Sequence, residues 1–134
     1  MNPSDIQKFE ARLSVAGEPY LVITLTRSGT INRMHLSEAG VPALSMGRTT
    51  ENWFEQVIAD FTPELLQEAG RYEIPITAGQ PCELTVVLSN DSEETGFAFT
   101  YGSESMGPPE EIVDIVEKAM DLTEEWFETQ QRRF

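Results

Sequence analysis

Cysteine, histidine and positive charge are scarce in this chain, and each scarcity closes off a class of function. One cysteine among 134 residues, Cys82, allows no intramolecular disulfide and marks no oxidising compartment. One histidine, His35, leaves the chain poor in the side chain that most often serves as general base or metal ligand near neutral pH. Only nine Lys and Arg stand against 23 Asp and Glu, a net charge of -14 that repels phosphate backbones and anionic lipid alike. No apolar run approaches the roughly 20 residues that cross a bilayer, and Met1 to Leu13 shows no basic start leading into an apolar core. The expectation is a cytoplasmic protein with neither a nucleic-acid nor a membrane partner.

What is present is enough to fold. Forty per cent of the residues are hydrophobic, and 134 residues suffice for one self-sufficient core, so residues 1–134 read as a single domain. Phe9, Ala11, Leu13 and Val15 alternate with Lys8, Glu10, Arg12 and Ser14, which is a strand with one buried face. Gly17 and Pro19 turn the chain into the β-branched run of residues 20–26, and Ser28-Gly29 leads to a weaker strand from Thr30 to Leu36. A second trio follows at Tyr72/Ile74/Ile76, Leu84/Val86/Leu88 and Phe97/Phe99/Tyr101. Thr49 or Thr50 is suited to cap a helix carrying Trp53, Phe54, Val57, Ile58 and Phe61, while Thr62-Pro63-Glu64 starts a short one closed by Gly70. The last helix spans about Pro109 to Gln130, with Ile112, Ile115, Val116, Ala119, Met120, Leu122, Trp126 and Phe127 on its apolar stripe.

Short matches recur in the same order at nearly constant offsets. Lys8-Phe9-Glu10 answers Arg71-Tyr72-Glu73, and Ala16-Gly17-Glu18-Pro19 answers Ala78-Gly79-Gln80-Pro81. Ser45-Met46-Gly47 answers Ser105-Met106-Gly107 as a strand-to-helix connection, and Asp60-Phe61-Thr62 answers Asp121-Leu122-Thr123. The pattern is that of internal duplication, with pseudo-repeats of approximately 6–70 and 71–134. The fold expected is α+β: a duplicated βββα unit, giving an antiparallel sheet of about six strands with helices packed on one face.

Catalytic chemistry finds no constellation. His35 has no evident carboxylate partner in sequence and reads as a half-exposed strand residue; Cys82 reads as a small buried hydrophobe. Asn90-Asp91-Ser92-Glu93-Glu94 lacks the ligand spacing and central glycine of a calcium loop. The loop Gly102 to Gly107 precedes a helix as an anion cradle would, but Pro108 and Pro109 remove N–H donors and Glu104, Glu110 and Glu111 repel an anion. No catalytic, cofactor or metal residue is assigned.

Surface charge is the remaining signal. Residues 1–70 hold nine acidic and five basic side chains, and residues 71–134 hold fourteen and four. Such asymmetry suits a non-catalytic protein-interaction module of the adaptor, chaperone or immunity kind, meeting a basic or partly unfolded protein partner. Its candidate contact residues are Glu110, Glu111, Asp114, Glu117, Asp121, Glu124 and Glu125 on the last helix, with Lys8, Glu10 and Arg12 on the polar face of the first strand. In size, acidity, strand triplets and an amphipathic terminal helix the chain resembles the type III secretion chaperones, a likeness that implies a homodimer binding an effector segment. Two alternatives stay open. One is a small-molecule binder or enzyme using a groove between the repeats, with His35, Tyr101 or a carboxylate as base; the other is a subunit of a homo-oligomer, burying Trp53, Phe54, Trp126 or Phe127 against a second chain.

Overall fold

The computed structural model describes residues 1–37 and 39–132; positions 133 and 134 of the second predicted repeat lie outside them. Strict alternation over Lys8–Val15 forms β1, which a tight turn joins to β2 (Glu18–Thr26). Both turn residues, Ala16 and Gly17, have positive φ (52° and 82°), the geometry whose twist matches that of the flanking strands. The meander continues through β3 (Thr30–Leu36) into β4 (Pro42–Arg48). Two short helices, α1 (Trp53–Ile58) and α2 (Pro63–Leu66), carry the chain to β5 (Gly70–Glu73). The hairpin of β6 (Pro81–Ser89) and β7 (Glu94–Gly102) then leads to α3 (Glu110–Arg132).

The fold class is α+β, with one sheet of seven strands in the order β4-β3-β2-β1-β6-β7-β5. All neighbours are antiparallel except β5 and β7, which pair in parallel. The strand count corrects the expectation of six. The extra strand, β4, reads Pro-Ala-Leu-Ser-Met-Gly-Arg, with no β-branched residue and a glycine and proline inside it, so it gives almost no local strand signal. Ser45-Met46-Gly47 accordingly lies inside β4, whereas Ser105-Met106-Gly107 lies in the connection from β7 to α3. Because β4 runs on to Arg48, α1 starts later than Thr49 and Thr50 suggest, with Asn52 at its cap position. The start of α2 follows the sequence reading: Thr62 Oγ1 accepts from Leu65 N at 3.1 Å, with Pro63 next in line.

One sheet face is covered by the helices. Phe9 and Ala11 of β1, Ile23 and Leu25 of β2, Val86 and Leu88 of β6, and Phe97 and Phe99 of β7 pack there with Phe54, Val57, Ile112, Ile115 and Ala119. Each large apolar side chain buried this way contributes about 1.5–3 kcal/mol. One member of that face is charged. Arg33 on β3 is fully buried, its Nη1 donating to Thr123 Oγ1 at 2.8 Å and its Nη2 to Glu124 Oε2 at 2.8 Å. Its guanidinium also lies 4.9 Å from the centre of the Phe127 ring. Four residues along α3, Gln131 Nε2 donates to Ser45 Oγ at 2.6 Å, the serine opposite Arg33 on β4. These bonds dock the C-terminal half of α3 on the weakest part of the sheet.

Removing the two partners of the Arg33–Glu124 pair should have unequal effects. Glu124→Ala leaves a buried guanidinium without its carboxylate and should lower unfolding free energy by about 3 kcal/mol in urea titration, whereas Arg33→Met, which replaces the charge with an apolar chain, should cost about 1 kcal/mol or less. Equal losses would show that packing rather than charge governs the site.

Candidate functional site

The sequence-selected contact residues fall into two groups on opposite sides of the molecule. Glu110, Glu111, Asp114, Glu117, Asp121 and Glu125 are exposed along α3. Glu124 belongs with them in sequence but not in space, since its carboxylate is spent on Arg33. Lys8, Glu10 and Arg12 lie on the sheet face that no helix covers, with Glu10 Oε1 accepting from Arg12 Nη2 at 3.3 Å and from Thr24 Oγ1 at 3.2 Å. The two groups therefore do not form one contiguous patch.

Two depressions flank α3. Beside its N-terminal end, at the β5 end of the sheet, lies a groove of about 530 Å3 lined by Leu65, Tyr72, Ile74, Phe97, Phe99, Met106 and Ile112, with Glu68 and Glu111 also in the lining. Its floor is an aromatic stack: the rings of Tyr72 and Phe99 are 5.3 Å apart and those of Phe97 and Phe99 6.3 Å apart, each pair close to parallel. The Tyr72 hydroxyl donates to the Glu68 carbonyl, fixing the ring at the groove wall. Met106 stands 80% exposed at the lip. Sequence reasoning had Met106 in hand only as part of a repeated tripeptide and had no means of bringing it to Tyr72, because β5 reaches β7 by a parallel pairing that no local pattern announces.

The second depression lies at the other end of α3 and measures about 840 Å3. Both tryptophans of the chain, Trp53 and Trp126, line it, together with Arg48, Glu51 and Glu125. Phe54 and Phe127, grouped with them in sequence as candidate oligomer contacts, are instead 3% and 6% exposed in the chain's own core.

The open sheet face is neither polar nor acidic as a whole. Val22 and Met34 meet there with Leu44 and Met46, the last two 60% and 68% exposed. Among the charged residues whose register places them on this face, Lys8, Arg12 and Arg71 stand against Glu10, Glu73, Glu83 and Glu94, while Arg48, at the end of β4, donates to the Ser28 carbonyl; the face is thus close to balanced and most of the chain's net charge of -14 resides elsewhere.

The lone titratable candidates are placed without reactive partners. His35 meets the edge of the Tyr20 ring at a centroid distance of 5.0 Å, and among the described residues no carboxylate forms an ion pair with it. The loop from Gly102 to Gly107 is held by its own serines: Ser105 Oγ donates to the Ala78 carbonyl at 3.0 Å, and Ser103 Oγ accepts from Gln80 N at 2.9 Å. Among the described residues no group of three His, Cys, Asp or Glu is arranged to hold a metal ion, and no helix is long and apolar enough to cross a membrane. No protein-family model matches the chain, and no curated protein matches it either.

Cys82 and Tyr101 face each other across β6 and β7 on the covered side of the sheet. Burial pushes the Cys82 thiol above its ordinary range, which disfavours the nucleophilic thiolate. The Tyr101 hydroxyl is raised first by burial and second by the adjacent Cys82. Because both folded values exceed the unfolded ones, the native state holds its protons longer, and stability present at neutral pH is lost as pH rises past about 8.5–10. The urea midpoint should stay level from about pH 7 to 8 and fall above that, and Cys82→Ala with Tyr101→Phe should flatten the fall. An unchanged alkaline slope in the double variant would assign the loss to other groups.

Proposed function

We propose that the protein is a non-catalytic, acidic protein-interaction module whose groove beside β5 receives an extended segment of a partner, apolar side chains seated on the Tyr72–Phe99–Phe97 stack and Lys or Arg side chains at the rim. The observation that carries this reading is the pairing of an apolar floor with Glu68 and Glu111 in one groove. A partner segment rich in both apolar and basic residues is the complement of that lining, and the exposed acids of α3 extend the favourable field beyond the groove. The free side of β5, the last strand of the sheet, adds backbone groups that an extended segment can pair with. An adaptor, chaperone or immunity role is compatible with this chemistry, as is the resemblance to type III secretion chaperones, and a reducing cytoplasm suits the free Cys82. The matches between 6–70 and 71–134 support an ancestral duplication whose halves have diverged; Gly17 and Gly79, paired in that alignment, share φ near 82–84°.

The test is titration of fluorescently labelled peptides with alternating Leu or Ile and terminal Lys or Arg, followed by anisotropy at low and moderate salt. Binding should weaken about tenfold in Glu68→Gln/Glu111→Gln and again in Met106→Asp, and should fall with added salt. Equal binding of a sequence-matched peptide with Glu in place of Lys would reject the reading.

The open sheet face favours a second reading, self-association. Apolar Leu44 and Met46 on the outer strand sit on a face whose charges nearly cancel, where two copies of a chain of charge -14 can meet with less repulsion than α3 would bring. Light scattering should then report twice the 15.0 kDa chain mass, reverting to the monomer in Leu44→Glu/Met46→Glu. A monomer at every concentration removes this reading and leaves the groove untouched.

A further inference from the structure

We infer that the cleft between β4, α1 and the C-terminal half of α3 is a binding site for an organic ammonium group. Two features of the lining carry the assignment. Both tryptophans of the chain contribute to it, although they lie 73 positions apart and on different helices. An indole is the side chain whose face attracts a cation most strongly, and quaternary ammonium groups are held by aromatic side chains in this way. Two carboxylates, Glu51 and Glu125, lie in the same lining.

Among the described residues the one basic side chain in the lining does not cancel them. Arg48 Nη2 donates to the Ser28 carbonyl at 2.9 Å, which commits its guanidinium to the wall of the cleft and closes off the β2–β3 turn. With one basic and two acidic side chains the described residues of the lining are net negative, inside a molecule of charge -14, so an anion is disfavoured. Thr49, Thr50, Thr129 and Gln130 supply hydroxyl and amide groups rather than apolar surface, which argues against a purely hydrophobic occupant. The local backbone favours the arrangement: Trp126 packs its ring against Gly47, where an added Cβ would stand 3.0 Å from the indole, so the glycine of β4 is what lets Trp126 settle at the cleft wall.

A volume of about 840 Å3 exceeds what a small ammonium ion fills and falls in the range of clefts that hold drug-sized ligands. The ammonium group is thus one end of a larger molecule, either a free amine or a lysine side chain presented by a protein. This site is separate from the groove beside β5, with no lining residue in common, so its failure and the failure of the peptide reading are independent.

Intrinsic fluorescence tests the inference directly, because every tryptophan in the chain lines the cleft. Choline, and separately a short peptide bearing one trimethylated lysine, should each shift the emission saturably; the tighter of the two names the source of the cation. Glu51→Gln/Glu125→Gln, both at exposed positions, should weaken the response about fivefold while leaving the far-ultraviolet spectrum unchanged. The neutral carbon isostere of choline, 3,3-dimethylbutan-1-ol, should give no saturable shift at the same concentrations. No response to either cation up to about 10 mM, an equal response to the isostere, or an unaltered response in the double variant overturns the assignment.

Discussion

The docking geometry of α3 is set by a charge placed where a hydrophobic residue would be expected. Arg33 lies on the covered face of β3, in register with Ile23 on one side and Ser45 on the other. Neither of the two outermost strands on this side is strongly apolar: β4 buries only Ser45, and β3 buries Ile31 and Arg33. Hydrophobic contact alone would leave the C-terminal half of α3 loosely held there. Arg33 replaces it with directional bonds to Thr123 and Glu124, a guanidinium over Phe127, and a serine on the neighbouring strand that accepts from Gln131. Polar groups so placed specify one docking geometry, since a helix slipped by one turn puts Ala119 or Phe127 where the Thr123 hydroxyl accepts from Arg33. That geometry in turn brings Trp126 to Gly47 and forms the cleft on the same half of α3.

What the sequence could and could not reveal follows from the range of the interactions involved. The alternation in β1, the β-branched run of β2 and the apolar stripe of α3 are local, and each declares its element and buried face without help. Thr62-Pro63 likewise fixes the start of α2 by a bond three residues long. β4 is different, because its strand state comes from pairing with β3 and not from its own residues, and a glycine that looks like a turn signal in sequence is a seat for an indole in space. Glu124 shows the same limit at a single position. On the helical period it stands among solvated acids, and only the fold brings Arg33, 91 positions away, against it. The groove beside β5 required even longer-range information, since it joins α2, a parallel edge strand, β7 and the start of α3.

The two faces of the molecule have been given different tasks by one arrangement of charge. A seven-stranded sheet covered on one side must expose the other, and an exposed sheet of this size normally resists aggregation by its charges. Here those charges nearly balance, three basic against four acidic, with the Arg48 guanidinium at the end of β4 bonded to the Ser28 carbonyl. Protection against promiscuous contact instead comes from the acids of α3 on the far side, which act on the whole molecule through its net charge. Screening limits that protection to about 8 Å at physiological ionic strength, less than the thickness of the sheet and helix layers together. At physiological salt the open face is accordingly left to its own nearly balanced charges.

The same separation governs how a ligand would be captured on the helix side. The exposed carboxylates of α3 attract any basic molecule in dilute salt, but charges at a wet surface contribute little once contact is made. Residence must come from recessed apolar surface, and α3 has such surface at each end: an aromatic floor beside Ile112 and an indole-lined cleft beside Trp126. Both depressions carry two carboxylates beside aromatic side chains, the cleft with Arg48 and Gln130 as well, and on the proposed reading both favour cations with a substantial hydrophobic body over simple ones. On that reading, a helix that is acidic along its length and aromatic at its two ends divides recognition into encounter along its exposed face and retention at its termini. Salt weakens the first more than the second, because only the first acts through water.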